Sequence, residues 1–443
     1  GGLVRFYNAG NNPHNVIATD KTWGSLNDVP KNDFIDINFN TEGLYKYICS
    51  YHATPEGDWG MAGSVVVGDI DYQEYTNYTK NDVVKNFSGD VRYVPYVYEN
   101  IQDAVDASNP GDLVLIDKGI YYEEVVVRTP SLTIRGLDRN EVIIDGEFEK
   151  ANGIIVAGVD GVAIENITAR NALLNGFYWA TAEGYRASYV TAYNNGDYGI
   201  YAFDSVDGVI EHSYASGSPD AGFYIGQCYP CDAIVNDVIS ENNGLGYSGT
   251  NSGGSLYIVS SVFKNNKGGL APNTLDSELL PPERETFIIG NLIENNNNID
   301  APATQSTNLS LGNGVVIAGG NNNIIKNNVI ANHNLYGVII TATADVNYWP
   351  AHGNRVESNL IINSKRADIA SSGLSNLGNC FENNYFNTSI PPGLQTLNKC
   401  DSSFFPLSAD LSGMWSSLAR VIQTSNGNYN QGDWRSFEAP ANQ

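Results

Sequence analysis

Basic residues are scarce in this chain. Its 443 residues include 24 Lys and Arg but 49 Asp and Glu, so the formal net charge at pH 7 is −25. Binding to nucleic acids or anionic membranes needs clustered Lys and Arg, which disfavours both as partners. A run of about eighteen apolar residues is also missing, so no membrane-spanning helix is predicted. These features suit an extracytoplasmic protein, whether secreted, periplasmic or at the cell surface.

Histidine, cysteine and methionine are scarce as well, with five, five and two copies. Four of them fall close together near the start of the chain: His14, Cys49, His52 and Met61. Two imidazoles, a thiolate and a weak thioether form the ligand set of a trigonal copper electron-transfer site. Zinc is a poorer fit, because methionine is a poor zinc ligand. The pattern predicts one mononuclear copper site; the alternative is a buried cysteine beside a structural histidine.

Three short segments resemble the copper motifs of the plastocyanin-like cupredoxins: 13–16, 47–52 and 60–65. The resemblance covers residues 1–68 and implies a Greek-key β-sandwich. It also implies that His14, Cys49 and His52 are equatorial copper ligands and that Met61 is the axial one. Copper would then remain bound while single electrons pass to and from a redox partner.

Two departures from the cupredoxin pattern stand out. Eight residues separate His52 from Met61, which is longer than in plastocyanin, and only thirteen residues precede His14. The first one or two strands of the sandwich are therefore expected to be missing. Either the sequence begins inside the domain, which we favour, or a homo- or hetero-oligomeric partner completes the sheet by strand addition.

The four cysteines other than Cys49 form an even set, which fits disulfides in an oxidising compartment. Cys380 and Cys400 are a plausible long-range pair. Cys228 and Cys231 form a Cys-x-x-Cys motif, for which we expect a structural disulfide or two thiols. Five Asn-x-Ser/Thr motifs permit N-glycosylation in a suitable cell: Asn77, Asn86, Asn166, Asn308 and Asn387.

The middle of the chain repeats with a period of about 23 residues. One glycine marks each unit, at Gly176, Gly199, Gly222, Gly246 and Gly269, and an apolar residue follows each of them. Asparagines cluster at another position of the unit, where left-handed backbone and stacked amides suit the corner of a coil. Because the Leu-x-x-Leu-x-Leu spacing of leucine-rich repeats is missing, the period predicts a parallel β-helix.

Residues 101–105, 110–115, 132–136 and 142–146, together with the Asn-rich coils, resemble the pectin-lyase-like right-handed β-helix superfamily. The resemblance covers about 95–395 and implies the fold more strongly than a function. We expect an all-β chain with four parts: a cupredoxin-like domain (1–68), a connecting segment (69–93), a β-helix (94–400), and a C-terminal cap and tail (401–443). Helices over 99–107 and 410–422 are predicted to cover the two ends.

The β-helix carries acids and aromatics that could face a glycan: Tyr178, Trp179, Tyr201, Asp204, Glu211, His212 and Tyr224. No catalytic signature transfers residue by residue, and we therefore favour a protein that is not an enzyme. The main hypothesis is single-electron transfer by copper, with the β-helix as a scaffold or docking surface for a redox protein or a cell-surface glycan. The alternatives are a carbohydrate-binding or polysaccharide-processing β-helix with an accessory copper domain, and a copper-delivery protein.

Overall fold

The computed structural model describes residues 2–8, 14–31, 33–53, 60–68, 89–372, 377–401, 419, 421–427 and 429–443. The chain divides into two compact units, Gly1–Asn86 and Phe87–Gln443. Within the described residues, no helix is both long and apolar enough to cross a bilayer.

The second unit is a parallel β-helix, as the repeat predicts. Each coil contributes one short strand to each of three long parallel sheets, called here sheets I, II and III in the order in which the chain visits them. Residues at the same position in successive coils are paired in register, for example Phe177 with Ile200 and Ile200 with Phe223. Side chains that share a column in the sequence therefore stack along the axis of the solenoid.

Sheet I contains twelve strands: Val91–Val94, Leu113–Ile116, Thr133–Gly136, Ala163–Glu165, Glu183–Ser188, Val206–Glu211, Ala233–Asn236, Gly253–Val259, Arg284–Ile289, Ile324–Lys326, Arg355–Glu357 and Cys380–Glu382. Sheet II contains eleven: Gly119–Tyr121, Val142–Asp145, Thr168–Arg170, Thr191–Tyr193, Tyr214–Ser216, Ile239–Glu241, Val262–Lys264, Leu292–Glu294, Val329–Ala331, Leu360–Ile362 and Tyr385–Phe386. Sheet III contains eleven: Val125–Val127, Asn152–Ala157, Asn175–Ala180, Ile200–Phe203, Ala221–Gly226, Leu245–Thr250, Gly268–Asn273, Val315–Ala318, Tyr336–Thr341, Ala367–Ser372 and Ser389–Ile390.

The interior of the solenoid is a stack of apolar side chains, and it contains the residues that follow the repeated glycines: Phe177, Ile200, Phe223, Tyr247 and Leu270, all at most 1% exposed. At the corners, asparagines such as Asn171 and Asn194 have φ values of 58° and 54°, which is left-handed backbone. Buried amides also bond from coil to coil, since Asn243 Nδ2 donates to Asn266 Oδ1 at 3.1 Å. Both predictions from the repeat are confirmed.

Helix α1 (Ile101–Asp106) packs on the first strands of the β-helix, and its Ile101, Ala104 and Val105 are buried. Asn100 is the N-cap residue that precedes the helix, and its side chain accepts from the Asp103 amide. A second short helix, α2 (Leu394–Leu397), packs near the last coils, and 3₁₀ turns span Thr307–Ser310 and Trp434–Ser436. Most of the predicted helix over 410–422 lies outside the described residues.

The described residues of the first unit form six antiparallel strands. Gly2–Tyr7 pairs with Phe34–Phe39, and a four-stranded sheet has the order Gly24–Val29, His14–Ala18, Gly43–Ala53, Gly60–Val67. Elsewhere, Thr343–Ala344 and Tyr348–Trp349 form a small hairpin ladder. The Greek-key sandwich expected for the first unit remains a prediction.

Both predicted cysteine pairs are disulfides, Cys228–Cys231 and Cys380–Cys400. Of the predicted glycosylation sites, Asn77 and Asn86 lie outside the described residues. The prediction at Asn308 is wrong for the folded chain, because this side chain is 6% exposed and donates to Thr424 Oγ1 at 3.2 Å. Asn166 is partly buried and donates to the Gly136 carbonyl at 2.8 Å, whereas Asn387 is exposed.

Candidate functional site

A row of tyrosines lines the outer face of sheet III. Tyr178, Tyr201 and Tyr224 occupy paired positions in three successive strands. The rings of Tyr178 and Tyr201 are stacked with centroids 4.7 Å apart, and Tyr201 meets Tyr224 nearly edge-on at 4.8 Å. Tyr198, from the corner before the same strand, stacks on Tyr201 at 4.3 Å. Tyr224 is 1% exposed, but the partly exposed rings of Tyr178 and Tyr201 form a platform on which the apolar face of a sugar ring can pack.

Two aspartates border this platform where the chain enters sheet III. Asp197 and Asp220 occupy equivalent positions in neighbouring coils, two residues before Gly199 and Gly222. The Asp220 amide donates to the Asp197 carbonyl at 3.1 Å, which fixes the two residues one coil apart. Both side chains remain partly accessible.

A third carboxylate reaches the platform from the other edge. Glu278 lies in an insertion after the strand Gly268–Asn273, and its two carboxylate oxygens are 2.7 and 2.8 Å from the Tyr224 hydroxyl. Asn251 holds the insertion in place by donating to the carbonyls of Leu275 and Glu278 at 2.7 and 2.8 Å. The three carboxylates and four tyrosines are called the acid–tyrosine cluster below.

All three carboxylates of the acid–tyrosine cluster have raised pKa values. Burial raises the pKa of Asp197 to about 6. Burial, together with the charges of Asp197 and Glu278, raises the pKa of Asp220 to about 7, although a hydrogen bond with Tyr198 opposes the rise. Burial raises the pKa of Glu278 to about 7 despite the hydrogen bond from Tyr224. Near neutral pH the cluster therefore holds both ionised and protonated carboxyl groups, as acid–base catalysis requires.

Tyr201 lies at the centre of the acid–tyrosine cluster. Burial raises its pKa, and the neighbouring Tyr178 and the charges of Glu278, Asp197 and Asp220 raise it further. No Lys or Arg is among the groups that shift the pKa values of Tyr201 or of the three carboxyls. Ligand oxygens of the three carboxylates are not all within 4.8 Å of one another. The arrangement favours proton transfer over cation chelation.

The structure separates the predicted glycan-facing residues. Tyr178 and Tyr201 are partly exposed on the sheet III face, and the exposed Asp204 lies at the corner that ends the Tyr201 strand. The prediction for Tyr224 is wrong, because its side chain is on the same face but only 1% exposed. The prediction for Trp179 is wrong, because its side chain is 0% exposed and points into the solenoid, where Nε1 donates to the Val162 carbonyl.

Glu211 and His212 were also predicted to face a glycan, and the structure places them away from the sheet III face. Glu211 ends a strand of sheet I, and His212 forms the corner towards sheet II. Glu278 and Tyr198, which belong to the acid–tyrosine cluster, were missed by sequence reasoning. The only sequence signal for Glu278 is that its segment interrupts the repeat, since such insertions often carry function.

In the first unit, two of the four predicted copper ligands are described with their side chains. Cys49 Sγ lies 3.6 Å from His14 Nδ1, and burial lowers the pKa of His14. Asn15 ties the two strands together: its Nδ2 donates to Ser50 Oγ and its Oδ1 accepts from the Ser50 amide, both at 2.8 Å. The side chains of His52 and Met61 lie outside the described residues, although their backbones belong to two paired strands, Gly43–Ala53 and Gly60–Val67.

The fold and the acid–tyrosine cluster define a parallel β-helix protein with an acidic, aromatic face. A family model described as "Right handed beta helix region" matches residues 134–280, which include every member of the acid–tyrosine cluster. The match supports the right-handed sense of the solenoid. No curated protein matches the chain.

Several solved structures are similar to this chain at low sequence identity. The catalytic domain of a GH87 α-1,3-glucanase is 12% identical, with 92% of this chain and 88% of that chain covered and a TM-score of 0.49. The A-module of the Azotobacter vinelandii mannuronan C-5 epimerase AlgE4 is 12% identical over 64% of this chain and 90% of its own, with a TM-score of 0.40. An alginate lyase from Paenibacillus sp. str. FPU-7 is 14% identical over 68% and 99%, with a TM-score of 0.39.

Proposed function

We propose that the acid–tyrosine cluster hydrolyses glycosidic bonds in a polysaccharide. The observation that carries the proposal is the set of three carboxyl groups around Tyr201 whose pKa values are raised to about 6 or 7. Glycoside hydrolysis needs one carboxylic acid that is still protonated at the working pH and one carboxylate that is ionised. Asp197 is the better candidate for the ionised group, and Asp220 and Glu278 are candidates for the acid.

The electrostatics of the cluster favour a sugar without a carboxylate at the cleaved position. Elimination or epimerisation at a uronic acid requires neutralisation of its carboxylate, which a cation normally provides. Besides burial, the groups that shift the pKa values of Asp220 and Tyr201 are carboxyls and tyrosines. A neutral sugar ring stacked on Tyr178 or Tyr201 avoids the repulsion that a uronate would meet there.

The test is the release of reducing ends from a panel of neutral polysaccharides. We expect Asp197→Asn, Asp220→Asn and Glu278→Gln each to lower kcat by about 10²–10⁴-fold, which is the usual contribution of one acid–base group. Glu183→Gln is the matched control, because Glu183 is an exposed acid on sheet I. Equal activity in all four variants would reject the assignment, and binding without hydrolysis by the unaltered chain would reduce it to carbohydrate recognition.

The two disulfides favour an oxidising, extracytoplasmic compartment, where a polysaccharide substrate would be met. A cell-surface or secreted glycan is accordingly the proposed partner. Chemical reduction of the purified chain should destabilise the last coils, since Cys380–Cys400 closes a loop of 20 residues there.

A second function, single-electron transfer, is proposed for the first unit because Cys49 Sγ and His14 Nδ1 are 3.6 Å apart. A thiolate and an imidazole that face each other fit copper, and His52 and Met61 are proposed to complete the ligand set. When bound, copper would supply one reversible electron. The chain's own part would be to keep the Cys49 strand and the His14 strand in place through Asn15.

The test for this second function is an optical and EPR spectrum of the copper-loaded chain. We expect an intense visible absorption band from the thiolate–copper bond that Cys49→Ser abolishes, whereas Ser25→Ala in the adjoining strand leaves it unchanged. A colourless chain with copper bound would reject a thiolate–copper site. Because glycan hydrolysis involves residues of the other unit, either function can fail without the other.

A further inference from the structure

One corner of the solenoid carries unusual residues. Where sheet I ends and the chain turns towards sheet II, each of nine successive coils places one residue immediately after its sheet I strand with φ between 48° and 70°: Asn166, Tyr189, His212, Asp237, Ser260, Gly290, Asn327, Ser358 and Asn383. Small polar residues and glycine are the usual occupants of left-handed backbone, and a bulky aromatic there is an outlier. Tyr189 therefore occupies a position that packing of the coil alone would assign to Asn or Gly.

Tyr189 and His212 form a stacked pair on this corner. Their rings are 4.6 Å apart at an angle of 25°, and the pair is partly open to solvent. His212 Nδ1 lies 2.7 Å from Asp237 Oδ2, in the next coil, and this contact orients the imidazole. The three adjacent corner residues thus present an aromatic face, an imidazole edge and a carboxylate in a row.

Arg139 completes the group from the N-terminal side. Its guanidinium carbon lies 6.0 Å from the centre of the Tyr189 ring, and Nη1 donates to the His212 carbonyl at 2.8 Å. Burial lowers the pKa of Arg139, so its charge is partly desolvated. Yet it forms no ion pair with any of the described residues, whereas Arg135, Arg170 and Arg186 of the neighbouring coils each contact a carboxylate.

None of the described carboxylates around Arg139 forms an ion pair with it. Arg186 Nη2 lies 2.5 Å from Glu211 Oε1, and Asp237 is held by His212. Asp138 is adjacent in the chain, and its charge raises the pKa of Arg139, but its Oδ1 accepts from the Asn140 amide at 2.8 Å and it forms no ion pair with the guanidinium. A partly desolvated guanidinium with unused donors in a chain of net charge −25 is costly unless an anion binds to it.

We propose that this corner site, formed by Arg139, Tyr189, His212 and Asp237, binds an anionic sugar unit. The carboxylate of a uronic acid accepts from the guanidinium of Arg139, and the sugar ring packs beside the Tyr189–His212 stack. The hydroxyl groups of the sugar bond to His212 and Asp237. The site lies on a different side of the coils from the acid–tyrosine cluster and favours an anionic sugar, whereas the cluster favours a neutral one. It therefore anchors the protein to an acidic glycan and does not depend on the proposed hydrolysis.

Isothermal titration calorimetry of the full chain with sodium hexagalacturonate tests the site, with maltohexaose and sodium sulfate as the comparison probes. We expect hexagalacturonate to bind in preference to both. Arg139→Gln and Tyr189→Asn should each weaken the binding at least tenfold, and Arg128→Gln, which removes an exposed arginine of the same unit, should leave it unchanged.

Tyr189→Asn also distinguishes a loss of ligand binding from a loss of folding stability. Asn occupies the same corner in other coils, such as Asn166 and Asn327, so this variant should melt at the same or a higher temperature while it loses binding. Equal affinity of Arg139→Gln and the unaltered chain would overturn the proposal. Equal affinity for sulfate and hexagalacturonate would overturn its sugar component. Asp220→Asn, which alters the acid–tyrosine cluster, should bind hexagalacturonate as well as the unaltered chain does. This result would show that the corner site does not depend on the proposed hydrolysis.

Discussion

The outer faces of sheets I and III belong to the same coils, but their acidic residues have different neighbours. On sheet I, acids and arginines alternate from coil to coil: Arg135 contacts Glu165, and Arg186 contacts both Glu165 and Glu211. On sheet III, the partners of the acids are tyrosines and other acids. One scaffold therefore builds an ion-pair ladder on one face and a set of proton donors on another.

Two aspartates, one on sheet II and one beside sheet III, show the electrostatic result. Asp145, on sheet II, has a lowered pKa even though burial acts to raise it, because it accepts hydrogen bonds from the Glu147 amide, Asn171 and Arg170. Asp220 has a pKa raised to about 7, because burial meets no cation and the charges of Asp197 and Glu278 add to it. The two aspartates differ both in burial and in neighbours, and the lack of a cation among the groups that shift the Asp220 pKa points to sheet III as the face suited to proton transfer.

The largest expected effect comes from breaking the ladder on sheet I. Arg186→Met would leave Glu165 and Glu211 without a shared cation, and the Glu165 side chain is only 4% exposed. We expect the free energy of unfolding to fall by at most about 3 kcal/mol, the value for a fully buried pair, because Glu165 keeps its contact with Arg135. Chemical denaturation measures this loss. Hydrolysis per folded molecule should not change, and a variant as stable as the parent would show that the ladder is not a stabilising network.

A pH-dependent effect is expected from Glu283, a carboxyl inside the solenoid. It accepts from Thr286 Oγ1 and Asn323 Nδ2, both at 2.8 Å, and burial raises its pKa to about 8. Since this folded-state pKa is above the unfolded value, the folded chain binds the extra proton. The contribution of Glu283 to stability is full below about pH 4.5 and is lost as the pH rises towards 8.

Melting temperature measured between pH 5 and pH 9 tests this linkage. Glu283→Gln, which resembles the neutral acid in shape, should flatten the decline of melting temperature with pH. Glu149→Gln, at an exposed position, is the control and should keep the slope of the parent chain. An unchanged slope in Glu283→Gln would mean that this carboxyl is ionised in the folded state.

The features of the fold and the site that could be predicted from the sequence are those that recur at a fixed position in the repeat. The period of about 23 residues was sufficient to predict the solenoid, its interior ladder and its asparagine corners, because each rests on a residue type at a fixed position. Trp179 was assigned to the wrong face, although strand alternation places it on the same side as Phe177, which the ladder puts inside. The sequence analysis placed Glu211 on the same face as Tyr201 because the two are close in the sequence. Residues that are close in the sequence can nevertheless lie on different faces of a coil.

The position of Glu278 beside Tyr224 could not be predicted from the sequence. It belongs to an insertion outside the period, and its approach to Tyr224 depends on contacts with Asn251 and Gln227 that no local pattern specifies. The raised pKa of Asp220 is equally hidden, because it depends on burial and on charges brought together from separate coils and from the insertion. A repeat therefore predicts the scaffold, whereas the chemistry depends on departures from it.

The smallest expected effect is a change in the pKa of Asp220 when its neighbour Asp197 loses its charge. Asp197→Asn removes the charge that, after burial, contributes most to the raised pKa of Asp220. We expect the Asp220 pKa to fall from about 7 by roughly one unit, because burial and Glu278 continue to act. Carbon-13 NMR titration of the carboxyl groups measures this shift, with Asp204→Asn as the control at the exposed corner. If the Asp220 pKa stays in place, burial alone accounts for it, and the two aspartates titrate independently instead of sharing their charge across neighbouring coils.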